Sequence, residues 1–257
     1  MNALPGVKAY LDAITYKYKI ETNANIISLD QVIGIHYPQW LSQPWPRSFT
    51  YRLEFYTGDN PPSHVKHQIL KYLQTQPEEH VINVFSEKLN QLIPSYRDNS
   101  YQHAWTNIIM SRKLSPSEKI NRAVGVEVKP IRNIQDVSLV NTIEPDNPCS
   151  TNGLNDPVIS NLMAFYKGEV CAKAQLITIE GKFAYISDIF THPNFRRRGI
   201  STTLLQEMHQ IAIAAGKTSS VLIPSKMTRE FDLFQKLDYQ ALIEMALLVP
   251  DQKPNTD

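Results

Sequence analysis

One segment of this sequence joins a strand pattern, a basic loop and a helix pattern. Alternating residues predict a β-strand over 183–191, and apolar residues at helical spacing predict a helix over 199–215. Three consecutive arginines, Arg196-Arg197-Arg198, lie between them. A strand that leads through a short loop into a helix is the basic unit of layered α/β proteins. The segment therefore predicts an α/β chain in which this helix packs on a mixed sheet.

The start of the predicted helix has the properties of an anion-binding site. The first N–H groups of a helix lack intrahelical acceptors and attract negative charge. Gly199 has no Cβ atom, so a phosphate group can approach the backbone closely. The hydroxyl groups of Ser201, Thr202 and Thr203 add donors, and the three arginines add positive charge. We interpret the segment as a pyrophosphate-binding site. The alternative is that the three arginines form a solvated surface that binds no ligand.

The second half of the chain has a regular order of predicted elements. Turn signals at 167–169 and 180–182 separate three consecutive strands, which predicts an antiparallel meander. The complete predicted order is a strand at 126–131, a helix at 136–143, strands at 160–166, 170–179 and 183–191, a helix at 199–215, a strand at 219–223, a helix at 228–237 and a strand at 239–249.

The first half differs in composition, since all three tryptophans and nine of the twelve tyrosines precede residue 125. Its proline-rich stretch, 38–62, predicts extended chain and turns. A helix, a strand, a helix and a strand are predicted at 64–74, 81–85, 87–93 and 104–110. This order repeats the last four elements of the second half, which favours a degenerate second copy of the same fold; a common α/β order is the alternative. We place an N-terminal α/β domain at 1–120, a second domain at 121–250 and a polar tail at 251–257.

The arginine–glycine segment resembles the acyl-CoA-binding signature of the GNAT superfamily of N-acyltransferases. That signature is Gln/Arg-x-x-Gly-x-Gly/Ala after a strand ending in Val-x-Pro. Here Arg196-Arg-Arg-Gly199-Ile-Ser201 follows Thr191-His-Pro193. The block 233–239, Leu-Phe-Gln-Lys-Leu-Asp-Tyr, is similar to the family's Leu-Tyr-x-x-Leu-Gly-Phe. Together with the order of elements, the resemblance covers about half of the chain and implies a GNAT-type fold, in tandem if the first half is a second copy.

The resemblance also implies a function. It implies an N-acetyltransferase that moves an acyl group from acetyl-CoA, or another acyl-CoA, to a primary amine by direct attack in a ternary complex, with no metal. A catalytically silent CoA-binding or protein-interaction module is the alternative. The implied cofactor contacts are Ile189, Phe190, Thr191, Arg196, Arg197, Arg198, Gly199, Ile200, Ser201, Thr202 and Phe234.

The resemblance places the chemistry on the strand at 183–191. In the family, a backbone N–H near the position of Ile189 or Phe190 meets the thioester oxygen, and a base often lies on the same strand. Our candidate catalytic residues are therefore Tyr185, Ser187 and Asp188. Strict alternation groups Tyr185, Ser187, Ile189 and Thr191 on one face and leaves Asp188 on the other, and a bulge would reverse this grouping.

Phe234 departs from the family pattern. It stands where many relatives carry a tyrosine that protonates the departing thiolate, and phenylalanine has no proton to give. Core packing and contact with the thioester are both open interpretations of this residue.

Other features exclude several classes of protein. The chain has 26 Lys and Arg against 25 Asp and Glu, which disfavours a globally basic nucleic-acid binder. Cys149 and Cys171 are too few for a disulfide scaffold or a four-cysteine zinc site. His64-x-x-His67 has no third ligand at a clear spacing, so we predict no metal.

No signal-peptide pattern and no run of 18 apolar residues occurs, so we expect a cytoplasmic protein without a membrane partner. The amine acceptor is unidentified, and a homodimer is open.

Overall fold

The computed structural model describes residues 4–43, 49–76, 78–117, 120–226 and 229–251. Within them, helices cover one continuous mixed sheet. The elements in chain order are α1 (Pro5–Thr22), β1 (Asn25–Leu29), β2 (Val32–Gln43), β3 (Phe49–Thr57), α2 (Pro62–Leu73), β4 (His80–Ser86), α3 (Leu89–Asp98), β5 (Tyr101–Lys113), β6 (Val126–Pro130), α4 (Ile134–Asn141), β7 (Ile159–Tyr166), β8 (Glu169–Ile177), β9 (Phe183–Thr191), a 3-10 turn (Pro193–Phe195), α5 (Ile200–Ala214), β10 (Ser219–Leu222), α6 (Arg229–Lys236) and β11 (Gln240–Pro250). None of the helices described there is long and apolar enough to cross a membrane.

The predicted order of the second half is confirmed. Strands β7, β8 and β9 form the expected antiparallel meander. Helix α4 begins at Ile134, two residues earlier than predicted, because the Asn133 side chain caps it by accepting a hydrogen bond of 2.9 Å from the Asp136 N–H. Most of the predicted element ends differ from the observed ends by one or two residues.

Much of the described part of 38–62 is extended, as predicted, but it forms paired strands that were not predicted. Strands β2 and β3 occupy it and pair with each other. Pro38 lies where the register shifts, between the pairs His36–Leu53 and Leu41–Tyr51. Proline lacks an N–H for the ladder, so strand pairing breaks locally instead of ending. Residues 44–48, which include the predicted turn prolines Pro44 and Pro46, lie outside the described residues.

Helix α1 was not predicted. The signal was present, because Val7, Tyr10, Leu11 and Ile14 follow the i, i+3, i+4, i+7 pattern of a buried helix face and all four are buried. Pro5 stands at the first helical position, where proline is favoured.

The two halves repeat one plan. Strands β1, β2 and β3 form a meander, followed by α2, β4, α3 and β5; strands β7, β8 and β9 form the second, followed by α5, β10, α6 and β11. In each half the helix after the meander leads to a strand parallel to the last meander strand.

The halves exchange their last strands. The sheet order is β1-β2-β3-β4-β11-β5-β10-β9-β8-β7-β6. Strand β11 pairs with β4 of the first half, β5 pairs with β10 of the second half, and β5 and β11 pair antiparallel at the centre. The predicted division at residue 120 stays a prediction, since the sheet itself runs through both halves. Residues 118–119 of the predicted linker, and the tail after Asp251, lie outside the described residues.

Helix α1 also joins the halves. The Tyr10 ring meets the Tyr185 ring of β9 edge-on, with centroids 5.3 Å apart. The Tyr16 hydroxyl donates to Asp156 Oδ2 at 2.8 Å, and Asn152 Nδ2 donates to the Glu21 carbonyl at 2.9 Å. The first helix of the chain is therefore docked on the second meander and on the loop between α4 and β7.

The exchange predicts that neither half folds alone. Residues 121–257 without β5 would leave the edge of β10 unpaired and β11 without either neighbour, and exposed strand edges of this kind favour aggregation. We expect separately expressed 1–120 and 121–257 to lack cooperative thermal unfolding, and the co-expressed pair to recover it. Circular dichroism melting curves test this, and a cooperative transition in isolated 121–257 would contradict it.

Candidate active site

Strands β9 and β10 separate partway along their length. Their parallel pairing covers only Ser219–Phe183, Ser220–Ala184 and Val221–Tyr185. Beyond Tyr185, β9 continues to Thr191, while the chain after β10 follows β5, with the Ile108 N–H donating to the Pro224 carbonyl at 3.1 Å. A gap therefore opens in the sheet toward the carboxyl end of β9.

A β-bulge lies in β9 beside this gap. Gln175 pairs with Ser187, but Lys173 pairs with Phe190, so β9 contains one extra residue. Asp188 has a φ of 52°, the left-handed conformation, which accounts for the break in register.

The bulge corrects the predicted faces. Tyr185, Ser187 and Asp188 all face α1: Tyr185 packs on Tyr10, and Lys17 Nζ lies 3.4 Å from Ser187 Oγ and 2.5 Å from Asp188 Oδ2. Strict alternation is therefore wrong after residue 187. The three candidate catalytic residues share one face.

The opposite face carries two of the three predicted cofactor contacts of β9, Ile189 and Thr191. Ile189 packs against the same core cluster as Ile186, beneath α5. The Thr191 hydroxyl lies 2.9 Å from the Ser201 hydroxyl in the first turn of α5. The structure thus brings the end of β9 and the start of α5 together, as the predicted site requires.

Helix α5 begins directly beside the gap. Gly199 is its N-cap with a φ of 74°, and Ile200, Ser201 and Thr202 supply the first helical N–H groups. A Cβ atom at Gly199 would lie 2.9 Å from the Ala123 Cβ. Glycine is therefore required here by backbone conformation and by contact with the segment that joins the halves, whatever binds at the helix start.

The three arginines have different surroundings, and all three are exposed. Arg196 Nε donates to the Thr191 carbonyl at 3.0 Å, which ties the loop to the end of β9. The Arg198 guanidinium lies over the Tyr166 ring, 4.8 Å from its centroid. Arg197 has a φ of 66°, and within the described ranges no hydrogen bond or ion pair of its side chain is found. Arg197 is therefore the arginine most available to an anion.

Phe234 lies in the core. It is 4% exposed, belongs to the cluster beneath α5 and meets the Tyr239 ring edge-on at 5.9 Å. This burial supports the core-packing interpretation; its contact with a thioester stays a prediction.

A network of charged side chains covers the α1 face of the gap, and sequence reasoning missed its members from α1. Lys17 pairs with Asp188, and its Nζ lies 4.0 Å from Glu21 Oε2. Gln175 Nε2 donates to Glu21 Oε1 at 2.5 Å, and the Ser187 hydroxyl donates to Gln175 Oε1 at 3.3 Å. A prediction of α1 from its apolar periodicity would have placed Lys17 and Glu21 on one side of a helix, but not beside β9.

Burial shifts the pKa values in this network. Burial raises the pKa of Glu21 above its ordinary value, although Lys17 and Gln175 oppose the shift. Burial alone would lower the pKa of Lys17, but the carboxylates of Asp188 and Glu21 outweigh it and raise the pKa. Burial also raises the pKa of the Tyr185 hydroxyl well above its ordinary value. Lys17 is therefore an ammonium group at neutral pH, and Tyr185 is protonated.

The described residues of the first half show no equivalent gap. Strands β3 and β4 pair from Leu53–His80 to Thr57–Val84, and Thr57 is the last residue of β3. The loop that follows, 58–61, carries no arginine. Across the described part of the chain, no cluster of three His, Cys, Asp or Glu side chains could hold a metal ion.

Comparison with known families agrees with this geometry. Residues 132–239 match the family model described as the acetyltransferase (GNAT) family. This segment of the chain is therefore similar to GNAT acetyltransferase domains. It includes β9, the arginine loop, α5 and Phe234. No curated protein matches the chain.

Solved structures extend the likeness to both halves. A GCN5-related N-acetyltransferase from Kribbella flavida superposes with a TM-score of 0.68 at 13% identity, over 100% of this chain and 99% of that one. One from Sphaerobacter thermophilus gives 0.60 at 12% identity, over 96% and 88%. A tandem GNAT protein from the clavulanic acid biosynthesis pathway gives 0.57 at 7% identity, over 99% and 97%. The predicted GNAT-type fold is confirmed, and the tandem protein shares it along nearly the whole chain.

The environment of Gly199 predicts a specific stability effect. Gly199→Ala should lower the free energy of unfolding by about 1–2 kcal/mol through its left-handed backbone, and by about 1 kcal/mol more through the contact with Ala123. Gly216→Ala is the matched control, because Gly216 has a φ of 76° and no atom within 4 Å of its Cβ position.

Urea unfolding measures both variants. Adding Ala123→Gly should remove the difference between them. Equal costs for the two glycine variants would show that Ala123 moves aside freely.

The burial of Phe234 predicts a second effect. Phe234→Ala should cost about 3–5 kcal/mol of stability because it leaves a cavity. Phe234→Tyr should cost about 1–3 kcal/mol because it buries a hydroxyl group in the core. Melting curves and acetyl transfer per folded molecule are the measurements. A tyrosine variant with unchanged stability and raised turnover would place residue 234 beside the thioester instead.

Proposed function

We propose that this protein transfers an acyl group from acetyl-CoA, or another acyl-CoA, to a primary amine by direct attack in a ternary complex. The observation that carries the proposal is the gap between β9 and β10 beside the start of α5. One face of the gap meets an arginine-rich helix start suited to a pyrophosphate, and the other meets the charged network under α1. An extended thioester could enter from the first face while an amine occupies the second.

The cofactor side follows from helix chemistry. The N–H groups of Ile200, Ser201 and Thr202, with Arg197 beside them, would hold the pyrophosphate. In the described part of the first half, no helix begins beside two strands that separate as β9 and β10 do. One acyl-CoA molecule per chain is therefore expected.

The chemical step needs an oxyanion donor and a base. The proposal assigns the donor to the backbone N–H of Ile189 or Phe190, next to the bulge. The amine nitrogen forms a bond to the thioester carbon, the carbon–sulfur bond breaks, and the amine proton passes to a base. A thiol with an ordinary pKa of about 8.5 is a tolerable leaving group without an acid at Phe234.

Four residues are candidates for the base. Tyr185, Ser187 and Asp188 lie on the face of β9 toward α1, where we propose that the amine binds, and we add Glu21 of α1. Asp188 is engaged by Lys17. The pKa of Glu21 is raised by burial, in the direction that suits a general base at neutral pH.

A catalytically silent CoA-binding or interaction module is the second candidate. The pairing of Asp188 with Lys17 and the burial of Phe234 favour it, because both residues are then structural. Release of free CoA in the presence of an amine panel, followed with a thiol reagent, separates the two functions.

The proposal predicts CoA binding by the helix start. Calorimetry should show one CoA site, and Arg197→Ala should weaken binding at least about tenfold, since a charge-assisted hydrogen bond is worth about 1.5–3 kcal/mol. Arg97→Ala, an exposed arginine on α3, is the control and should leave affinity unchanged. Folded protein that gives no heat at millimolar CoA would reject the proposal.

A further inference from the structure

A buried lysine from α1, Lys17, contacts the candidate active strand β9. The Lys17 side chain is 7% exposed and comes from α1, the first helix of the other half. Its Nζ lies 2.5 Å from Asp188 Oδ2, 3.4 Å from Ser187 Oγ and 4.0 Å from Glu21 Oε2. Buried charges are normally kept only where they are paired, so the position of this ammonium group is specific.

A second lysine–aspartate ion pair on α1 is exposed, in contrast to that of Lys17. Lys8 and Asp12 also form an ion pair of 2.5 Å, but their side chains are 71% and 45% exposed. Exposed pairs of this kind contribute little. Lys17 instead joins two elements that are 171 residues apart in the sequence.

Asp188 is the residue that Lys17 engages, and it has an unusual backbone. Its φ of 52° lies in the left-handed region, which is disfavoured for residues other than glycine. This conformation produces the extra residue in β9 and so determines how the backbone continues into Ile189 and Phe190. Lys17 contacts Ser187, the last paired residue before the break in the ladder, and Asp188, the first residue after it.

The charge of Lys17 limits what it can do. The facing groups are Asp188 and Ser187 from β9, Glu21 from its own helix, and the neutral Tyr185 hydroxyl. A lysine held as an ammonium group is a fixed cation and a poor nucleophile. A positioning role suits it better than a role as an acyl acceptor.

We propose that Lys17 is a positioning residue: by holding Asp188 in the bulge, it sets the direction of the backbone N–H groups of Ile189 and Phe190. This inference rests on the proposed function, which assigns those N–H groups to the thioester oxygen. It follows that the first half completes the site of the second half. The N-terminal helix is then part of the acyl-transfer machinery.

The test uses the full chain and acetyl-CoA labelled with ¹³C at the carbonyl carbon. Isotope-edited infrared spectroscopy reports hydrogen bonding to the thioester oxygen and needs no knowledge of the acceptor. The bound carbonyl band of wild-type protein should lie below that of free acetyl-CoA. In Lys17→Met it should return to the free position, while the acetyl-CoA Kd from calorimetry changes less than about threefold because the helix-start contacts remain.

Activity is the second readout. With any amine from the panel that the wild type accepts, Lys17→Met should lower kcat by about 10²–10³, the usual effect of losing an oxyanion donor. Lys17→Arg should recover part of the band shift and of kcat. Lys8→Met is the matched control on the same helix and should change neither.

The outcomes separate the two proposals. If wild-type protein does not bind acetyl-CoA, the proposed function fails and this inference with it. If it binds but Lys17→Met keeps the lowered band and the wild-type kcat, only this inference fails. Acetylation of Lys17 itself, detected by peptide mass spectrometry, would also overturn it.

A second variant allows the same test if Lys17→Met does not fold. The double variant Lys17→Met/Asp188→Asn removes both charges of the ion pair, and Glu21 keeps its hydrogen bond from Gln175. The carbonyl band of acetyl-CoA bound to this double variant should also lie at the position of free acetyl-CoA. A lowered band in the folded double variant would contradict the inference.

Discussion

The pairing of β5 with β11 at the centre of the sheet is the constraint on which the rest of the structure depends. Each strand ends one half of the sequence and completes the sheet of the other half. Because the ladder needs both strands, the halves hold each other in a fixed relation. This fixed relation allows α1, at one end of the chain, to lie against β9, more than 160 residues later.

The two halves share one order of elements but differ in how far their parallel strands stay paired. Pairing of β3 with β4 continues to the end of β3, so the sheet stays closed there. Pairing of β9 with β10 stops at Tyr185, and the bulge at Asp188 turns the remaining backbone. The half with the open strands also carries the arginine loop and the glycine-capped helix. The other half contributes α1, whose lysine and glutamate lie on the far side of the gap.

Much of this architecture was predictable from sequence. The periods of apolar residues and the turn signals gave the order of elements from β6 to β11, because those patterns are local. The Arg-x-x-Gly segment gave the position of the candidate cofactor site for the same reason. The elements that differ from the prediction have local causes as well: a proline interrupts the pattern of β2, which bulges at Pro38, and the polar residues of α1 partly hide its apolar face.

What the sequence by itself determined is therefore the class of fold, the order of elements in the second half and the segment that starts α5. Only the tertiary structure decided which strands are neighbours, where β9 and β10 part, and that Lys17 meets Asp188. The physical reason is the separation in sequence between the residues that interact. Helix caps, turns and periodicity act within a few residues, whereas strand exchange and the burial of an ion pair depend on contacts between residues that are distant in the chain. The face of Asp188 shows this directly, since alternation placed it opposite Ser187 and a single left-handed residue, paired with Lys17, brought it to the same side.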